Sequence, residues 1–222
     1  MPMTIDQRQQ QAARILHAAG ILPVVTVDGI EQAKRLADAL LAGGLRSIEL
    51  TLRTPTALDA LAALKRSLPE LVVGAGTVLH AGQVRQSIDA GADFLVTPGT
   101  PPELAAVLAQ APIPVVPGGA TPSEFLALMR HGFRVCKLFP AVPLGGINML
   151  KALAGPLAGL QFCPTGGIGE GEAGAFLAQP NVLCIGGSWM VPKAWLADSD
   201  YARIRASAAS AAALVARIRG GG

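Results

Sequence analysis

A chain of 222 residues can form one α/β barrel or two small domains, and its hydrophobic content of 51% is enough for a sizeable core. No apolar run reaches the roughly eighteen residues that a membrane span needs, and residues 1–11 are polar, which argues against a secretory signal. The net charge of +3, without a basic cluster among aromatic residues, argues against nucleic acid as a partner. We therefore expect a cytoplasmic protein without membrane contact.

The cysteines and histidines do not form a metal-binding pattern. Cys136, Cys163 and Cys184 lack Cys-x-x-Cys spacing and lie in apolar, strand-like runs, which indicates buried reduced thiols. The three histidines are far apart in the sequence and share no ligand spacing. The sequence therefore predicts neither a disulfide framework nor a metal site.

The predicted elements alternate between strands and helices after one N-terminal helix. Apolar residues at helical spacing predict that helix over 4–19, closed by Gly20. Eight strand-like runs follow, at 21–27, 47–52, 71–75, 94–97, 114–117, 135–139, 160–164 and 182–185. Helical runs separate them, at 30–42, 56–67, 81–90, 102–109, 122–131, 147–153 and 170–177.

Two further features concern helix ends. Thr121 and Glu124 have the spacing of a capping box at the start of the helix over 122–131. An Ala-rich packing helix is predicted over 200–219, and we expect the Gly220 to Gly222 tail after it to fray.

This alternation predicts a parallel sheet, because the connections between successive strands contain helices rather than hairpin turns. We predict a single α/β domain over residues 1–222, a (β/α)8 TIM barrel with an extra N-terminal helix. A doubly wound open sheet is the structural alternative. It is weakened because no Gly-x-Gly-x-x-Gly follows the first strand.

Lys137 lies inside the apolar strand-like run 134–140, whereas the other four lysines lie in polar or helix-like surroundings. An ammonium among Val, Cys, Leu and Phe loses hydration, and this favours the neutral amine that can attack a carbonyl. A lysine at a strand end can instead extend its ammonium to solvent. Considered alone, this stretch leaves both interpretations open.

A second candidate lies in the run 47–53, where strict alternation places Glu49, Thr51 and Arg53 on the face opposite Ile48 and Leu50. In a barrel the polar face would point into the interior. A carboxylate there must be paired or hydrogen-bonded, and it suits a group that shuttles protons. An internal ion pair between Glu49 and Arg53 is the alternative.

Several strands end in glycine, threonine or serine, at the end of a barrel where active sites lie. The seventh and eighth strands are followed by Thr165-Gly166-Gly167 and Gly186-Gly187-Ser188. Backbone N–H groups next to such glycines, the two hydroxyls and a short helix starting at Ser188 predict a phosphate site. Tight turns explain single glycines well, but they explain two neighbouring pairs less well.

These motifs together resemble the 2-keto-3-deoxy-6-phosphogluconate (KDPG) aldolase family. They run in the family's order and cover most of the chain: Glu49-Leu50-Thr51-Leu52-Arg53-Thr54, Gly74-Ala75-Gly76-Thr77, Thr97-Pro98-Gly99, Lys137-Leu138-Phe139-Pro140-Ala141, Phe162-Cys163-Pro164-Thr165-Gly166-Gly167-Ile168 and Cys184-Ile185-Gly186-Gly187-Ser188-Trp189. The resemblance implies a class I aldolase on a (β/α)8 barrel. It also implies that the enzyme needs no metal or other cofactor and assembles as a homotrimer.

The resemblance further implies a role for each matching residue. Lys137 would be the Schiff-base lysine and Glu49 the general acid and base. The pyruvate carboxylate would be held by Arg53 and Thr77, in a pocket lined by Pro98 and Phe139. The phosphate would be held by Thr165, Gly166, Gly167, Gly186 and Ser188. One departure is Val142, at a position where many relatives carry an acidic residue.

The implied reaction is reversible cleavage of KDPG, a phosphorylated keto acid, to pyruvate and D-glyceraldehyde 3-phosphate. The same chemistry on 4-hydroxy-2-oxoglutarate or 2-keto-3-deoxy-6-phosphogalactonate is the first alternative. A non-catalytic barrel that binds phosphosugars is an alternative of another class. It is disfavoured because a lysine and a glutamate inside strands are costly to keep without a use.

Overall fold

The computed structural model describes residues 3–220 and consists of a parallel sheet curled into a barrel with helices around it. The strands are β1 Ile21–Val25, β2 Ser47–Thr51, β3 Val72–Gly76, β4 Phe94–Val96, β5 Val115–Val116, β6 Gly118–Gly119, β7 Val135–Leu138, β8 Gln161–Pro164 and β9 Ile185–Gly187. The helices are α1 Ile5–Ala19, α2 Ile30–Ala42, α3 Ala57–Ser67, α4 Ala81–Asp89, α5 Pro102–Ala109, α6 Pro122–Arg130, α7 Ile147–Ala154, α8 Glu170–Leu177, α9 Lys193–Ala197 and α10 Tyr201–Arg219. The predicted fold class, with its N-terminal helix, is confirmed.

The strands pair in two runs, with the orders β5-β4-β3-β2-β1-β9 and β6-β7-β8. Pro117 separates β5 from β6, because a residue without an N–H group interrupts the ladder. At the other end of each run, bridges of Phe162 to Val182 and of Thr165 to Gly186 join β8 to the segment that contains β9. We call this junction the seam. The sheet closes there through isolated bridges rather than through a continuous ladder.

The last strand differs from its prediction. We expected it over 182–185, but β9 covers Ile185–Gly187, where Gly186 pairs with Leu22 and Gly187 pairs with Pro23 of β1. Glycine has little preference for strands, so the sequence indicates a turn at this point. Pairing with a neighbouring strand of the closed sheet overrides that local preference.

Alternation along the strands sorts the side chains into two layers. Ile48 and Leu50 of β2, like Cys136 and Leu138 of β7, are buried in the apolar layer that packs against the surrounding helices. The residues between them therefore face the interior of the barrel.

Helix α1 covers the N-terminal end of the barrel. Thr4 and Gln7 form a capping box at its start, and its buried residues Ala12 and Leu16 belong to a cluster with strand residues such as Leu22. The apolar interior is thereby closed at the end opposite the strand C-termini.

The Ala-rich tail forms α10, which confirms the predicted packing helix. Its buried residues are Ile204, Ala208 and Ala211. Gly43, at the end of α2, allows α10 to approach α2 closely, since a Cβ atom on this glycine would lie 2.8 Å from the Arg205 carbonyl oxygen. The predicted fraying of Gly220 to Gly222 stays a prediction, because residues 221 and 222 lie outside the described range.

Candidate active site

Lys137 and Glu49 meet inside the barrel. The Lys137 Nζ lies 3.1 Å from Oε1 and 3.4 Å from Oε2 of Glu49. Lys137 is 4% exposed and Glu49 is 1% exposed. The lysine therefore does not extend to solvent. The alternative pair of Glu49 with Arg53 is wrong, because Glu49 pairs with Lys137 and Arg53 is an exposed residue just beyond β2.

The surroundings of this pair are dry, and two contacts hold the Lys137 side chain in place. Burial removes both groups from water, and the direct contact compensates for part of that loss. The Phe139 ring adds a cation–π contact, with its centroid 5.4 Å from the Lys137 Nζ. Gly76 leaves space for the carboxylate, because a Cβ atom there would collide with Glu49. The arrangement thus places an amine and a carboxylate in direct contact, the two groups that Schiff-base chemistry requires.

A cavity of about 150 Å³ opens at the C-terminal end of the barrel. Arg53, Phe139 and all five residues that the sequence assigns to phosphate line it. The complete lining is Val24, Thr26, Thr51, Arg53, Phe139, Thr165, Gly166, Gly167, Ile168, Gly186, Gly187 and Ser188. The structure therefore brings the five residues assigned to phosphate together with two of the four assigned to the carboxylate, whereas Lys137 and Glu49 are not among the lining residues.

Thr77 and Pro98 do not line this cavity, and each lies beside a glycine that neighbours Glu49 or Lys137. Thr77 directly follows Gly76 and has a φ of +58°, a conformation uncommon for a β-branched residue. A Cβ atom on Gly118, the residue paired with Lys137 across β6 and β7, would lie 2.6 Å from the Pro98 backbone. Gly76 therefore connects Thr77 with Glu49, and Gly118 connects Pro98 with Lys137.

The glycine turns combine tight packing with free donors. Gly166 and Gly167 have φ values of +102° and +82°, and a Cβ atom on Gly167 would lie 2.8 Å from Cβ of Val142. Val142 also donates its N–H to the Gly166 carbonyl at 3.0 Å. Within residues 3–220, the N–H groups of Gly166, Gly167 and Ser188 have no protein acceptor. Three free N–H groups around one cavity are suited to an anion.

The predicted helix start at Ser188 is wrong. The Val191 N–H donates to the Ser188 carbonyl at 3.0 Å, so Ser188 begins a turn, and α9 begins only at Lys193. Pro192 accounts for the difference, because the residue before a proline is disfavoured in helical conformation. Any anion bound here would therefore meet N–H groups and hydroxyls rather than the end of a helix at Ser188.

Sequence reasoning missed part of the cavity wall. Val24, Thr26, Thr51 and Ile168 line the cavity, and none of them was assigned a role. Thr26 directly follows β1, so the rule that picked out polar residues at other strand ends could have found it. Thr51 was placed on the polar face of its strand without further interpretation.

The three cysteines are not among the residues that line the cavity. All three cysteines are free and buried, as predicted. Burial raises the pKa of the Cys136 thiol far above its ordinary value, and burial with a hydrogen bond to Cys163 raises the pKa of Cys184 in the same direction. Among residues 3–220, no group of three or more His, Cys, Asp and Glu side chains is arranged to hold a metal ion. None of the helices described is long and apolar enough to cross a membrane.

Comparison with known proteins assigns the chain to a family. The family model described as KDPG and KHG aldolase matches residues 12–207. The KHG/KDPG aldolase of Escherichia coli K12 is 44% identical over 193 residues, which cover 87% of this chain and 91% of that protein. The 2-dehydro-3-deoxy-phosphogluconate aldolase of Pseudomonas aeruginosa is 42% identical over 200 residues, covering 90% and 91% of the two chains.

Solved structures agree with this assignment. The KDPG aldolase of Legionella pneumophila, with pyruvate captured at low pH as a covalent carbinolamine intermediate, superposes with a TM-score of 0.87 at 39% identity and covers 90% of this chain and 97% of its own. The aldolase of Zymomonas mobilis with 3-phosphoglycerate has a TM-score of 0.86 at 37% identity, covering 93% and 97% of the chains. The chain therefore belongs to the KDPG and KHG aldolase family.

Proposed function

We propose that this protein is a class I aldolase that cleaves KDPG reversibly to pyruvate and D-glyceraldehyde 3-phosphate through a Schiff base on Lys137. The observation that carries the proposal is the buried contact between the Lys137 Nζ and the Glu49 carboxylate, at 3.1 Å. The carbinolamine of pyruvate in the Legionella relative is an intermediate of the same chemistry.

In the proposed mechanism Glu49 accepts a proton from Lys137, and the neutral amine adds to the C2 ketone. Glu49 returns the proton to the C2 oxygen, and loss of water leaves an iminium ion. The electron pair of the C3–C4 bond then moves into the iminium, while the proton of the C4 hydroxyl passes to Glu49 directly or through a water molecule. The resulting enamine is protonated at C3, and hydrolysis of the new iminium releases pyruvate. Because the iminium accepts the electrons, the reaction needs no metal.

The two ends of the substrate have separate binding groups in this proposal. Arg53 and Thr77 bind the carboxylate, and Pro98 and Phe139 form the wall beside it. Thr165, Gly166, Gly167, Gly186 and Ser188 bind the phosphate. The free N–H groups of the glycine turns support the second assignment. Binding energy from the remote phosphate would raise kcat/KM for phosphorylated substrates.

The decisive experiment is reduction of the protein with borohydride in the presence of pyruvate, followed by peptide mass mapping. We expect a covalent adduct on Lys137, and its loss in Lys137→Met. Lys151→Arg is the matched control, since Lys151 is an exposed lysine of α7 and its replacement should leave the adduct in place. Turnover without an adduct on Lys137 would contradict the proposal.

A second candidate substrate is 4-hydroxy-2-oxoglutarate, because the Escherichia coli relative is named for both activities. Comparison of kcat/KM for the two substrates decides which one the protein prefers. A homotrimer in the cytoplasm completes the proposal, on the strength of the family resemblance, and light scattering of the purified protein tests the trimer.

A further inference from the structure

Two threonine hydroxyls form a pair on the cavity wall, and the proposed mechanism does not use them. Val24 and Val25 of β1 pair with Glu49 and Leu50 of β2, so the next residues along each strand, Thr26 and Thr51, lie side by side. Their Oγ1 atoms are 2.7 Å apart, and both residues line the cavity.

The pair has a hydrogen-bond donor to spare. Each hydroxyl carries one hydrogen, and the bond between the two uses only one of them. Within residues 3–220 the side chains of Thr26 and Thr51 make no other hydrogen bond. Thr51 is 1% exposed, so bulk water reaches it poorly. One O–H group and several lone pairs are thus left facing the cavity.

The pair of Thr97 and Thr100 shows the contrast within the same barrel. Its Oγ1 atoms are also 2.7 Å apart. There, however, Thr100 donates to the Gly118 carbonyl at 2.9 Å, and Thr97 accepts from the Gly118 N–H at 2.8 Å. Both hydroxyl hydrogens are used inside the protein. The spare donor of the Thr26–Thr51 pair is therefore a property of that pair and not of every pair of hydroxyls at a strand end.

The position of the Thr26–Thr51 pair in the barrel indicates which part of a substrate it would contact. Strand β1 lies between β9, which leads to Ser188, and β2, which carries Glu49. Thr51 is two residues beyond Glu49 on the same face, one layer nearer the mouth of the barrel. The pair thus lies between the proton-transfer group and the residues assigned to phosphate.

We infer that the Thr26–Thr51 pair binds a hydroxyl group of the substrate on the phosphate side of the cleaved bond. This hydroxyl lies on the carbon one position beyond C4. This inference rests on the proposed function. In KDPG that group is the C5 hydroxyl, and in the reverse reaction it is the C2 hydroxyl of the aldehyde. 4-Hydroxy-2-oxoglutarate carries a carboxylate carbon there instead. The pair consequently favours phosphorylated 2-hydroxyaldehydes as acceptors.

The test compares two aldehydes in addition to pyruvate: D-glyceraldehyde 3-phosphate and 3-oxopropyl phosphate, which lacks only the hydroxyl. A site with a buried partner for a hydroxyl discriminates against the analogue that lacks it. We expect Thr26→Val and Thr51→Val to lower the kcat/KM ratio of the first aldehyde to the second by about tenfold. Thr26→Ser keeps the hydroxyl and should have the kcat/KM ratio of the wild type. Thr100→Val changes the pair that has no spare donor, and it should also leave that ratio unchanged.

The ratio compares two substrates on the same variant. A loss of folded protein lowers both kcat/KM values by the same factor and therefore does not change their ratio. If the wild type is active and both valine variants have the wild-type ratio, the inference is overturned and the aldolase proposal stands. A wild type that neither adds pyruvate to an aldehyde nor forms a borohydride adduct would remove both.

Discussion

Gln9 of the N-terminal helix holds Val135, two residues before Lys137, by accepting its backbone N–H at 2.9 Å. The same side-chain oxygen accepts the Arg134 N–H at 2.8 Å, and the amide nitrogen donates to the Val115 carbonyl at 2.9 Å. Gln9 is 3% exposed, so water does not replace these bonds readily. A single side chain thereby ties the strand of the lysine to β5.

We expect Gln9→Leu to lower the free energy of unfolding by about 3 kcal/mol, because it leaves two N–H groups and one carbonyl without partners. Urea unfolding measures the change. Gln10→Leu, at the exposed neighbouring position of α1, is the control and should change stability little. Equal stability of the two variants would show that the Gln9 bonds contribute nothing net.

Replacement of Glu49 by glutamine should lower kcat by about 10²- to 10⁴-fold, because in the proposed mechanism Glu49 accepts a proton from Lys137 and an amide cannot. The side chain keeps its shape, so KM should change far less. Steady-state kinetics with KDPG measure both constants. Glu70→Gln, at an exposed loop position, is the control for loss of one carboxylate. An unchanged kcat in Glu49→Gln would exclude Glu49 as the proton acceptor.

Gly76→Ala should damage both stability and activity, since the new Cβ would collide with the Glu49 carboxylate. Overpacking of this kind costs about 1–3 kcal/mol in unfolding free energy and would displace Glu49 from Lys137. Thermal unfolding and kcat together measure the effect. Gly171→Ala in α8, where a Cβ meets no atom within 4 Å, is the matched control and should be neutral or stabilising. If Gly76→Ala behaves like the control, the position of Glu49 does not depend on the absence of a side chain at Gly76.

The capping box at α6 gives a pH-dependent contribution to stability. Burial alone raises the pKa of Glu124, but hydrogen bonds from the Ala120 N–H and from the hydroxyl and N–H of Thr121 lower it, and the net pKa lies below the ordinary 4.5. A carboxyl with a lower pKa in the folded state stabilises the protein above its unfolded pKa. That contribution is lost as the pH falls through the folded pKa.

We therefore expect Glu124→Gln to be less stable than the wild type at neutral pH, and the difference to vanish at pH values below the folded pKa. Urea unfolding at both pH values measures it. Glu103→Gln is the control, because Glu103 also lies in a first helical turn but makes no side-chain hydrogen bond within residues 3–220. A difference that persists in acid would assign the effect to something other than ionisation.

Local patterns singled out Lys137 and Glu49 but did not predict the contact between them. The period of two in β2 placed Glu49 inside the barrel, and the apolar neighbours of Lys137 marked it as unusual. Their contact joins strands 88 residues apart in sequence, and only closure of the sheet brings them together. The helix expected at Ser188 failed because Pro192 disfavours helix just before it. The strand-end rule could have found Thr26, but its hydrogen bond to Thr51 could not be predicted, because that contact depends on the register between β1 and β2.

The seam between β8 and β9 has a consequence for ligand binding. Thr165, Gly166 and Gly167 lie on one side of this junction, whereas Gly186 and Ser188 lie on the other, and the only ladder contacts between the two sides in the described chain are single bridges. In the proposed function the substrate phosphate contacts both groups, so it would link the two sides of the seam. If phosphate binds in this way, its binding and the closure of the sheet are linked equilibria, and phosphate should raise the thermal stability of the protein.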